Sequence, residues 1–107
     1  MRREELLSLR LHEAVAHKLQ LCPELIEQVR ARLDHLSALD RLHPHYQEAW
    51  RRWLTLELNA QLKALISPEE EWIAMRQASP FAGLLTPHER MVILRAFRDE
   101  WAAQCDV

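Results

Sequence analysis

Thr86-Pro87-His88-Glu89-Arg90-Met91-Val92-Ile93-Leu94-Arg95-Ala96-Phe97-Arg98-Asp99-Glu100-Trp101 is the stretch that decides how this chain folds. A threonine followed three residues later by glutamate forms a capping box, in which hydroxyl and carboxylate satisfy each other's orphan backbone donors. Proline costs nothing at the first helical position, because its missing N–H has no intrahelical partner there. Behind the cap, Ile93, Leu94, Phe97 and Trp101 recur at helical spacing as one apolar stripe. The segment predicts a helix over 87–104. Ser67-Pro68-Glu69-Glu70 matches the same box and predicts a helix over 68–78.

Working outward, Pro23 and Pro44 stand where first-turn prolines open helices. They divide the rest into helices near 3–20, 23–39 and 44–55, with a short continuation around 56–66. Leu25, Ile26, Val29, Leu33 and Leu36 share one face of the second. Composition agrees with this reading. Gly83 is the single glycine among 107 residues, whereas a β-rich or α/β chain needs several for its turns and bulges. Hydrophobic residues make up 49%, which excludes disorder along the whole length. The expected fold is all-α: a compact bundle of five to six short helices, one domain over 1–107, with short connections.

Charge narrows the function classes. The net charge is −2, without the basic excess that phosphate neutralisation gives a dedicated nucleic-acid binder. Residues 1–53 hold nine basic and eight acidic side chains, and 54–107 hold five and eight. The second half, at −3, suits a basic partner. No apolar run approaches the ~20 residues that span a bilayer, and nothing resembles a signal peptide, so a cytoplasmic location and no membrane are expected. Cys22 and Cys105 then read as reduced thiols.

Tyr46, Trp50 and Trp53 recur at i, i+4 and i+7 on one helix face. Such rings serve either as core or as binding anchors, and core is the commoner use. Ser79-Pro80-Phe81-Ala82-Gly83-Leu84-Leu85 is unusually apolar for a connection, so it either plugs the bundle or docks into a partner. Gly83 is expected to supply a positive φ. In the last helix Met91 flanks the apolar stripe, Val92 points away from it, and Arg90, Arg95 and Arg98 share the helix. No catalytic set appears. His12 and His17 are five residues apart and diverge by about 140° around a helix, which excludes the shared metal of an i, i+4 pair. His43 and His45 have no further ligands at metal spacing. No base can be assigned to Cys22, and a phosphate loop would need glycines. The chain is read as a non-enzyme without metal or cofactor.

The run Ser79–Arg90, continuing through Val92-Ile93-Leu94-Arg95, resembles a C-terminal signature of small bacterial antitoxin-like proteins. Leu11-His12-Glu13-Ala14-Val15-Ala16 and Pro23-Glu24-Leu25-Ile26 are similar to the start of the same group. The resemblance covers about half of the chain, and Met91 stands where the group's pattern has tryptophan. It implies a stoichiometric inhibitor, the antitoxin of a bacterial toxin–antitoxin pair, bound to a cognate toxin. Partner contacts are expected at Tyr46, Trp50, Trp53, Phe81, Met91 and Arg95. The alternatives are a DNA-binding regulator using the last helix, a phage-type inhibitor of a host defence complex, and a homodimeric scaffold.

Overall fold

Prolines and caps place most helix starts where the sequence puts them. The computed structural model describes residues 2–105, with nothing described of the Cys105 side chain. Helix α1 spans Arg3–Leu21, and a single 3-10 turn, Pro23–Leu25, leads into α2, Ile26–Ala38. Then come α3 (Pro44–Leu54), α4 (Leu58–Leu65), α5 (Glu70–Gln77) and α6 (Pro87–Cys105), with no strand among the described residues. The Thr86 box is formed: Thr86 N donates to Glu89 Oε1 (2.7 Å) and Glu89 N to Thr86 Oγ1 (3.1 Å). The expected all-α bundle of short helices is the observed architecture.

The Ser67 box is not formed as expected. Ser67 Oγ accepts from the Glu69 N–H (3.2 Å), and α5 begins only at Glu70. The physical reason is a side chain from within α5. Arg76 Nη1 donates to the carbonyls of Leu65 (3.2 Å) and Ser67 (2.8 Å), holding the α4–α5 connection open as a loop.

Helix α2 ends in a Schellman motif. Arg41 N–H reaches the Leu36 carbonyl (2.9 Å) and Asp40 N–H that of Ser37 (3.1 Å). The motif forces Asp40 to a φ of 53°, a left-handed conformation that costs any residue with a Cβ. Asp40→Gly is therefore expected to raise stability by roughly 0.5–1 kcal/mol in urea titrations. A loss instead would mean that the Asp40 side chain contributes more than its backbone costs.

Helix α1 is the hub. It packs against α4, α5 and α6, while α2 lies on α3. One continuous core runs through Val15, Leu19, Val29, Leu33, Trp50, Trp53, Leu65, Met75 and Phe81. Helix α6 rests chiefly on α1. Lys18 pairs with Glu89 (2.6 Å) and Arg10 with Glu100 (2.8 Å), so the two helices run antiparallel. The Arg3 guanidinium lies over the Phe97 ring, 5.2 Å from its centroid.

Candidate functional site

Three of the rings expected at a partner surface are core. Trp50 and Trp53 are 0% and 1% exposed and Phe81 is 6% exposed. Phe81 stands edge-on to both indoles, with centroids 5.2 and 5.5 Å away. Each indole N–H finds its acceptor inside the protein, as a buried polar group must. Trp50 Nε1 donates to the Ala78 carbonyl (2.8 Å) and Trp53 Nε1 to that of Gln61 (3.1 Å). Gln61 Nε2 returns a bond to the Trp53 carbonyl (3.2 Å). The contact role expected of Trp50, Trp53 and Phe81 is thus corrected to a structural one. The apolar 79–85 segment is a plug for the bundle, turning at Gly83 with φ of 88°. Tyr46 is half-buried at the edge of this core, with the exposed His43 and His45 beside it.

Met91 and Arg95 are on the surface. Met91, Arg95 and Arg98 follow at i, i+4 and i+7, all exposed, and form one outer row of α6. Val92 beside them is 54% exposed, and Leu21 at the end of α1 is 69% exposed. The last two line a shallow groove between α1 and α6, of about 320 Å³, together with His17, His88 and Ile93. Glu89 fixes one side of that groove. Hydrogen bonds from Lys18 and from the Thr86 backbone hold its carboxyl down at about 2.

A second region combines apolar walls with buried charge. A cavity of about 280 Å³ opens between α1, α5, the 79–85 segment and Arg90 of α6. His12 and Arg76 line it, and they are only 5% and 3% exposed. His12 Nδ1 lies 2.6 Å from the Ser8 carbonyl. A carbonyl can only accept, so Nδ1 carries the proton and Nε2 is left as the acceptor. That Nε2 is buried without a partner. Burial pushes the imidazole down to about 4, with the Arg76 charge contributing and the Ser8 bond opposing.

Arg76 spends Nη1 on the two carbonyls named above, while Nε and Nη2 are buried with no hydrogen-bond partner. Among the described residues no carboxylate lies within ion-pair distance of it. Burial lowers its pKa, and the charge of Glu13 partly opposes that. Sequence reasoning weighed His12 only as a metal ligand and gave Arg76 no role. One signal was present: Arg76 falls at i+4 from Trp72 and i+3 from Ile73, on the apolar side of its helix.

Cys22, half-buried, ends α1. No group of three or more His, Cys, Asp or Glu side chains comes together among the described residues. No described helix is long and apolar enough to cross a membrane. Set against models of known families, curated proteins and solved structures, the chain shows no significant match.

Proposed function

We propose that this protein is a non-catalytic inhibitor of antitoxin type, a cytoplasmic bacterial protein that neutralises a cognate toxin by covering its working surface. The observation that carries this reading is the outer row of α6. An exposed methionine aligned with two exposed arginines, next to Val92 and Leu21, has the composition enriched at protein interfaces. Methionine adapts to an irregular partner surface, and arginine adds bidentate recognition. Arg95 makes the row basic at its centre, whereas Arg98 lies 4.0 Å from Asp99, so the contacted face of the toxin is acidic opposite Arg95. Tyr46, at the far edge of the core, is a lesser contact in this reading.

The test is a tagged pull-down from the native host, followed by toxin neutralisation with Met91→Asp/Arg95→Glu. Neutralisation is expected to weaken at least tenfold, roughly 1.4 kcal/mol, with helical circular dichroism and melting unchanged. A folded double variant that neutralises fully would remove the row from the interface and with it the basis of this reading.

Arg90, Arg95 and Arg98 are exposed on α6, but Arg98 lies 4.0 Å from Asp99 and Glu89 and Glu100 share the helix, so promoter DNA is the less favoured second reading. Binding to its own promoter that weakens steeply between 50 and 200 mM salt, by roughly tenfold or more, is the mark of phosphate contacts.

A further inference from the structure

We infer that the cavity beside His12 and Arg76 is a binding site for a small aliphatic carboxylate, held by the guanidinium fork of Arg76. Nε and Nη2 are the two donors on one edge of a guanidinium, spaced to meet both oxygens of a carboxylate in parallel. In Arg76 that edge is the unpartnered one, while the opposite amine is anchored to Leu65 and Ser67. The anchoring fixes the plane of the fork, so little side-chain freedom remains to be lost when a ligand binds. A cation 3% exposed with no described carboxylate within ion-pair distance is costly for the free protein, and an incoming carboxylate offsets that cost.

The surroundings choose among anions. The lining carries Arg76, Arg90 and Glu4, a net of one positive charge with His12 neutral, which balances a monoanion better than a phosphate dianion. Leu7, Leu11, Val15 and Leu85 supply an apolar wall for a hydrocarbon tail. At the ~30 Å³ that a water molecule occupies in the liquid, the cavity of about 280 Å³ holds roughly nine non-hydrogen atoms. A carboxylate with a chain of five or so carbons matches that space. Both fork nitrogens are buried from solvent, so a carboxylate reaches them only if the lining shifts, and the exposed Ala82–Gly83 corner is part of that lining. Open space beside Gly83, where even an added Cβ would meet nothing within 4 Å, allows this.

Hexanoate, 1-hexanol and inorganic phosphate are the probes, titrated against the full chain by calorimetry and by ¹H–¹⁵N spectra of the arginine Nε–H. Hexanoate is expected to bind one-to-one and to shift the Arg76 Nε–H signal downfield, with hexanol and phosphate at least tenfold weaker. Arg76→Lys keeps the charge without the fork, and is expected to lose at least tenfold in hexanoate affinity. Should that variant fail to fold, the wild-type Nε–H shift decides alone. Equal binding of hexanol, tighter binding of phosphate, or an Arg76 signal unmoved by 10 mM hexanoate (a working concentration on the order of weak ligand affinities) overturns the assignment.

Discussion

Trp50→Ala is expected to lower the unfolding free energy by about 3–5 kcal/mol, the range for removing a large buried ring. Against a total of roughly 5–15 kcal/mol for a domain, that is between about a fifth and all of the stability. The ring is fully enclosed, edge-on to Trp53, Trp72 and Phe81 at 5.5, 5.9 and 5.2 Å. Its removal opens a void bounded by three rings that cannot close over it without breaking their own contacts. It also strips the half-buried Ala78 carbonyl of its donor, adding part of the cost of an unpaired acceptor. Urea denaturation followed by far-ultraviolet circular dichroism measures the loss. Trp101, half-buried against Phe97 on α6, provides the comparison, with a smaller loss expected from Trp101→Ala. Were Trp50→Ala to cost under about 1 kcal/mol, the aromatic cluster would not be what organises the core.

Acid is the second large effect, and it runs through His12. The unfolded chain takes up a proton near 6.5, while burial in the folded state delays uptake to about 4. Between those values the unfolded state binds more protons, so stability is full above pH 6.5 and falls as pH drops towards 4. A difference of that size corresponds to about 3 kcal/mol. Arg76 adds to the effect, because a protonated His12 would share the cavity with a second cation. Glu13 acts on Arg76 in the opposite sense. Glu89 acts in a separate, lower window. Its carboxyl titrates near 2 rather than 4.5, so the stability it lends α6 is lost only as pH falls below 4.5. His12→Gln keeps a donor for the Ser8 carbonyl and abolishes the charge. Stability against pH, from urea titrations at pH 7 to 4, is expected to flatten in that variant. An unchanged slope would assign the acid sensitivity to other groups.

The parts of this molecule that were legible in its sequence are those set by local chemistry. The Thr86 box and Pro44 act within one turn, and α6 and α3 begin where they indicate, whereas Pro23 opens a 3-10 turn and α2 starts three residues later. Ser67 was misleading because its carbonyl answers to Arg76, nine residues later, and no local pattern encodes that pull. Spacing correctly placed Tyr46, Trp50 and Trp53 on one face but could not say what that face meets. Only the tertiary arrangement brings Phe81, on a distant plug, against both indoles. The cavity was illegible for the same reason. His12 and Arg76 come from α1 and α5, and the Ser8 hydroxyl that joins them bridges 68 positions to the Arg76 carbonyl.

The hub position of α1 also sets an order of events as the chain is made. Its contacts lie 68 residues downstream at Arg76, 71 at Glu89 and 90 at Glu100. Helix α1 therefore leaves the ribosome long before any of these partners exists. At roughly 5–20 residues per second, its apolar side faces solvent or a chaperone for several seconds. The α2–α3 pair can form early, but the face of α1 that packs on α4 and α5 is enclosed only when they arrive. Synthesis speed, and not only the finished set of contacts, then governs how much of this protein escapes aggregation.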